Sequence, residues 1–168
     1  MSSQSTILFL ELDGALYDQR ITDQTAPGAI VSSGAQILAE IAAPYVHQLE
    51  IVVTDAAALH SPLQRFREQL PESLAARVID SVYLEELTNA SWSDYHSALA
   101  SRYACIVLWL RRRRPQHTDG WLALDAGHDL DSWHADELYR LVCGPLLNPS
   151  VQRALAETLK AQQRGTSY

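Results

Sequence analysis

ILFLELDGAL, residues 7–16, is the stretch on which the fold turns. The apolar run Thr6–Leu12 mixes β-branched and aromatic residues and ends at the turn pair Asp13-Gly14. A run of this length bounded by a turn signal predicts a strand buried on both faces, as in a parallel sheet. Side chains alternate along a strand, so Glu11 and Asp13 are expected on the same side of the chain.

Similar runs recur downstream. Leu49–Val53 predicts a second buried strand ending at Thr54-Asp55, Val78–Tyr83 a third, Trp121–Leu124 a fourth ending at Asp125, and Leu138–Cys143 a short fifth. Helical spacing fills the intervals. Ile37, Leu38, Ile41 and Tyr45 share one helix face, with Pro44 marking the stop. Ser61-Pro62 opens another helix, the hydroxyl as cap and proline at the first helical position, with Leu63, Phe66 and Leu70 inside. Trp92, Tyr95, Leu99, Tyr103, Ile106 and Leu110 recur at steps of three and four. That spacing predicts a long amphipathic helix from about Ser91, closed by Arg111–Arg114 before Pro115. Asn148-Pro149 opens a last helix carrying Val151, Leu155 and Leu159. Residues 14–33, rich in Gly, Ser, Thr, Asp and Gln, read as a loop or small flap and leave no room for a large cap. Strands alternating with helices predict one α/β domain over residues 1–168. It is of Rossmann type, with a mostly parallel sheet and helices on both faces.

Composition bounds the function. The 168 residues are 47% hydrophobic and 20% charged, enough for one domain to bury roughly 68–70% of its unfolded surface. Cys105 and Cys143 sit among apolar neighbours, which fits two buried thiols in a reducing compartment rather than a secreted bridge. No stretch approaches the roughly 20 apolar residues of a membrane span, and Glu11 cuts short the only N-terminal apolar run. A cytoplasmic protein with no membrane partner is expected. A net charge of −7 disfavours non-specific nucleic-acid binding. The one basic run, Arg111–Arg114, is a route to nucleic acid, but it suits a solvated helix C-terminus better. The four tryptophans are scattered and read as packing for the core or its rim.

In a parallel α/β sheet, ligands bind beyond the carboxyl ends of the strands. There the sequence places Glu11 and Asp13, then Thr54 and Asp55, then Asp125 with His128, Asp129 and Asp131 following. Hard oxygen ligands converging from two strand ends suit Mg²⁺, and a hydroxyl from a neighbouring strand suits a phosphate oxygen. His128 and His134 in this polar loop have no recognised ligand spacing and read as solvated.

Taken in order, ILFLELDGAL, IVVTDAAAL (51–59), RYACIVLWL (102–110) and WLALDAGHD (121–129) resemble the four motifs of the haloacid dehalogenase-like (HAD) superfamily. The nearest look is the small HAD-type domain of Swiss-army-knife RNA-repair proteins, over about Ile7 to Leu159. In that superfamily the first motif is Asp-x-Asp-Gly, the first Asp attacking phosphorus and the second acting as general acid/base. The resemblance puts Asp13 at the second position and Glu11 at the nucleophile position. It puts Thr54 where a hydroxyl holds the phosphoryl group, and Arg102 where the superfamily has its cation. Tyr103 follows Arg102 where a glycine is expected, which favours reading Arg102 as a solvated helix residue. Asp125 falls at the Mg²⁺-binding acid, with Ala126 in place of the adjacent acid and Asp129 as a substitute. The implied metal set is Glu11, Asp13, Asp125 and Asp129.

Glu11 is the departure that shapes the functional reading. One extra methylene moves the carboxylate by about 1 Å or more, and such a misplacement costs on the order of 10²-fold in rate. The expectation is a HAD-type phosphohydrolase fold, catalytically degenerate, with a residual Mg²⁺ and anion site and a binding or regulatory role. Its partner is then a phosphorylated small molecule or a protein. The alternative is an active Mg²⁺-dependent phosphatase acting on small phosphomonoesters or nucleic-acid phosphate ends. In it Glu11 and Asp13 do the chemistry, and Thr54 and Arg102 neutralise the phosphoryl charge.

Overall fold

Alternation along each strand sorts the apolar side chains into two layers. The computed structural model describes residues 5–17, 32–83, 101–116, 119–127 and 130–164. Strands β1 (Thr6–Leu10), β2 (Leu49–Val53), β3 (Val78–Ser81), β4 (Trp121–Asp125) and β5 (Leu141–Cys143) form one sheet in the order β3-β2-β1-β4-β5, every pair parallel. The main helices are α1 (Ser33–Ala42), α2 (Leu63–Arg67), α3 (Glu72–Ala75), α4 (Arg102–Arg113) and α5 (Pro149–Gln163). Leu8, Leu10, Ile51, Val53, Leu122 and Leu124 pack with α1, α2, α3 and α5. Ile7, Phe9, Val52, Trp121 and Ala123 face the other way, onto Cys105, Ile106 and Trp109 of α4. With both faces covered, the central strands read as continuous apolar runs.

Local signals fix where the helices begin. Ser32 caps α1, accepting from the Ala35 N–H at 3.1 Å and donating to the Leu16 carbonyl at 3.0 Å. The close approach of α1 to the turn after β1 requires Gly34, where a Cβ would run into the Leu16 carbonyl. Asn148 caps α5 with Pro149 in its first turn.

The expected boundaries shift in several places, among them α2, which starts at Leu63 with Pro62 at its cap position and no side-chain cap. The first strand stops at Leu10, because only the Glu11 N–H continues the ladder, to the Leu124 carbonyl at 3.0 Å. The N–H groups of Leu12 and Asp13 turn instead to the Asp55 carboxylate. Alternation therefore lapses, leaving Glu11 buried and Asp13 exposed. The third strand ends at Ser81 rather than Tyr83. The helix expected from about Ser91 starts at Arg102: Ser101 has extended backbone and caps it, accepting from the Ala104 N–H at 3.1 Å. Trp92, Tyr95 and Leu99 lie outside the described residues.

The expected fifth strand shrinks to three residues because Ala135–Arg140 winds as a 3-10 turn. That turn carries the buried Arg140 guanidinium to the Trp121 carbonyl at 3.1 Å and Glu137 at 2.5 Å, over the Trp121 ring. Likewise α1 ends at Ala42 and passes into a 3-10 turn, Ala43–Gln48, with Pro44 in its first turn. Trp109, Trp121 and Trp133 are core residues, Cys105 is buried and Cys143 partly so, both as free thiols. No described helix is long and apolar enough to cross a membrane.

Phe9 makes edge-on contacts with Trp109 and Trp121, at 5.6 and 5.7 Å between ring centroids, and is fully buried. Phe9→Ala is expected to destabilise the fold by about 3–5 kcal/mol, read as a lowered midpoint in urea denaturation.

Candidate functional site

The strand order reverses direction beside β1. From β1 the chain moves outward through β2 and β3, then returns to place β4 and β5 on the other side. The crevice beyond the carboxyl ends of β1 and β4 is thus the topological switch point, where open α/β sheets take ligands. Glu11 follows β1 and Asp125 ends β4, each only 2% exposed. Arg102, the first residue of α4, reaches across this crevice. Its Nη1 pairs with Glu11 Oε2 and lies 3.1 Å from Asp125 Oδ2. Backbone donors complete the pair. The Ala126 N–H donates to Glu11 Oε1 at 3.3 Å, and the Gly127 N–H to Asp125 Oδ1 at 2.7 Å. The Ser101 cap positions this contact, and the helix N-terminus adds a favourable dipole beside the two acids.

A second set of groups lies at the end of β2. The Asp55 carboxylate, 5% exposed, accepts from the Leu12 N–H at 2.8 Å through Oδ1 and from the Asp13 N–H at 2.9 Å through Oδ2. Burial pushes the Asp55 carboxyl up to about 6; the two backbone donors pull it down and the neighbouring Asp13 charge adds to the rise. Thr54 is 1% exposed, and its Oγ1 has no hydrogen-bond partner among the described residues.

The structure thus brings Glu11, Asp125 and Arg102 into one cluster, with Thr54 at the adjacent strand end. Asp13 reaches this region through its backbone N–H, while the residue itself is exposed. Arg102 is not the solvated helix residue that Tyr103 suggested: its side chain is 17% exposed and spans two acids. His128 and Asp129 lie outside the described residues. His134 is exposed and sits 3.7 Å from Asp136. The arginine run lies at the far end of α4, about 14–18 Å along the helix axis from Arg102. There Arg114 pairs with Glu50 at 3.2 Å and Arg113 with Asp80 at 3.6 Å. Asp55 was legible as a strand-end acid, but its grip on the β1 loop carried no sequence signal. An open groove lined by Gln64, Arg67, Glu68 and Glu72 lies beside the start of β3, away from this cluster.

A parallel doubly wound sheet with two buried acids and an arginine at its switch point defines a small α/β protein with a charged cluster at the edge where such sheets take ligands. The family model for the HAD domain in Swiss Army Knife RNA repair proteins matches residues 7–155, and the chain belongs to that family. Neither curated proteins nor solved structures give a match.

HAD domains generally use Mg²⁺, and the donor set can be weighed against that ion. Among the described residues no group of three or more His, Cys, Asp or Glu side chains forms a metal cage. Mg²⁺ does not need one, since it is bound through one or two carboxylates with water and substrate oxygens filling the rest. Glu11 and Asp125 supply two buried carboxylates against the single positive charge of Arg102, and the surplus negative charge favours a further cation. The residues fit. Glu11 and Asp125 would hold the ion, whose contribution there is to neutralise phosphoryl charge.

Two outcomes follow from this electrostatics. Arg102→Met leaves two buried acids without their guanidinium and is expected to cost about 3–5 kcal/mol in chemical denaturation. The folded chain keeps a proton on Asp55 up to about pH 6, whereas an ordinary carboxyl releases it near 3.8. The stabilisation linked to that proton is full below about pH 4 and is lost as pH rises through 6. The stability of the native protein relative to Asp55→Asn should therefore fall by about 3 kcal/mol between pH 4 and 7, measured by urea midpoints.

Proposed function

We propose that this protein is a catalytically degenerate HAD domain that binds a phosphoryl group, with Mg²⁺, in place of turning it over. The observation that carries this reading is the state of Glu11. One carboxylate oxygen pairs with Arg102 and the other accepts from the Ala126 N–H. An attacking carboxylate needs an oxygen directed at phosphorus in a near-attack geometry, and a longer side chain engaged at both oxygens does not offer one. Binding groups persist around it: the Thr54 hydroxyl, the Arg102 guanidinium, and the acids that suit Mg²⁺.

The partner is a phosphorylated small molecule or a protein carrying a phosphoryl group. Nucleic acid is the weaker choice, because the net charge is −7 and the arginine run stands at the opposite end of α4 from the crevice. A second reading, an active phosphatase on small phosphomonoesters or nucleic-acid phosphate ends, draws on the Thr54 hydroxyl, which has no hydrogen-bond partner among the described residues, and on the RNA-repair setting in the family's name.

Hydrolysis of an aryl phosphate with Mg²⁺ decides between them. Wild type is expected to be silent, and Glu11→Asp to gain turnover that a further Asp13→Ala removes. Wild-type turnover abolished by Glu11→Ala would overturn the degenerate reading.

A further inference from the structure

The two carboxylates that suit Mg²⁺ already hold a cation. Arg102 Nη1 pairs with Glu11 Oε2 and lies 3.1 Å from Asp125 Oδ2, so one nitrogen joins one oxygen of each acid. The other two oxygens are held from the turn after β4. Glu11 Oε1 accepts from the Ala126 N–H at 3.3 Å, and Asp125 Oδ1 from the Gly127 N–H at 2.7 Å. All four oxygens that could ligate an ion are therefore in use. The two kinds of donor differ in how readily they leave. The N–H groups are fixed by the backbone, whereas the guanidinium ends a long, rotatable side chain that is 17% exposed, against 3% for each acid. An ion bound by both acids therefore competes with Nη1.

Charge decides whether the two cations can stay together. Two acids with the guanidinium leave one negative charge on the cluster. Two acids with Mg²⁺ leave none. All of them together leave a positive charge, with like charges side by side where water screens them poorly. We infer that Arg102 is a resident counter-ion between Glu11 and Asp125, and that Mg²⁺ binds both acids only by displacing its guanidinium. The inference rests on the Mg²⁺ and phosphoryl-binding reading above and adds to it how the metal is admitted. Its consequence is a threshold. The crevice is charge-paired without metal, and the affinity for Mg²⁺ is lowered by the share of molecules in which Arg102 holds the acids.

Calorimetric titration of Mg²⁺ into native protein and Arg102→Met tests this directly. Methionine keeps much of the apolar stem and removes the competing charge. Mg²⁺ affinity is expected to rise about tenfold or more in the variant. A variant no tighter than native overturns the inference and leaves the Mg²⁺ reading standing. Absence of Mg²⁺ binding to both proteins overturns the inference together with that reading. Loss of a nearby positive charge alone also tightens cation binding, so the native protein supplies the second measurement, which serves equally if the variant fails to fold. The Arg102 Nε–H resonance is followed by NMR as Mg²⁺ is added. Displacement moves it to the position and water-exchange rate of a solvent-exposed arginine, with the midpoint of the calorimetric titration. A resonance that keeps the exchange rate of a paired guanidinium at saturating Mg²⁺ overturns the inference, whatever the variant does. Hydrolysis by wild type would overturn the degenerate reading without touching either measurement.

Discussion

One guanidinium held between two buried carboxylates is the contact around which this site is organised. Arg102, Glu11 and Asp125 come from three distant parts of the chain, and each is placed by a different device. Glu11 sits one residue past a strand whose ladder runs out, Asp125 closes the neighbouring strand, and Arg102 begins a helix whose cap is Ser101. Two charged acids left without a partner at this depth would carry a large desolvation cost. With the arginine present they stay together at the mouth of the β1–β4 crevice, and that crevice is what the reversal in strand order creates. Sheet topology and site electrostatics are therefore one constraint. Moving the start of α4 by a turn would remove the charge partner, and the acids would no longer tolerate burial.

A second tie, between the Asp55 carboxylate and the β1 loop, fixes the other wall. It joins the end of β2 to the residues that follow β1 through two hydrogen bonds of 2.8 and 2.9 Å. This bond set explains why the first strand ends where it does, since the N–H groups that would extend the ladder are drawn sideways. It also explains why Glu11 and Asp13, two residues apart, end in different environments. The loop turns at Leu12, itself buried, and carries Asp13 to the surface. The two walls differ in kind. The Arg102 wall is a contact between charged side chains, and the Asp55 wall is a carboxylate held by two backbone N–H groups.

Much of the fold was legible because buried parallel strands leave a plain trace. Residues 7–10, 49–53 and 121–124 are nearly uninterrupted apolar runs, and their ends marked the ligand-binding edge of the sheet. Boundaries set by long-range bonds were not legible. Nothing in the local sequence says that Asp55 takes the donors of Leu12 and Asp13, or that Arg140 buries its guanidinium over Trp121 and bends the approach to β5. Periodicity also misled at α4. Its apolar positions extend upstream at helical steps, yet Ser101 is extended and caps the helix, a signal that outweighs spacing. Arg102 was hardest, because an arginine in the first turn of a helix reads as solvated until the facing strand ends supply two acids.

The glutamate at position 11 ties these threads together. An aspartate there would be one methylene shorter, drawing its carboxylate back from the guanidinium of α4 and the Ala126 N–H that Glu11 reaches. The longer arm makes both contacts at once. Those contacts strengthen the link between β1, β4 and α4, and they use the two oxygens that attack on phosphorus would need. A firm crevice and a free nucleophile thus make opposite demands on this position. On the reading argued above, the chain has taken the first course: it keeps the groups that recognise a phosphoryl group and commits the group that would react with it to structure.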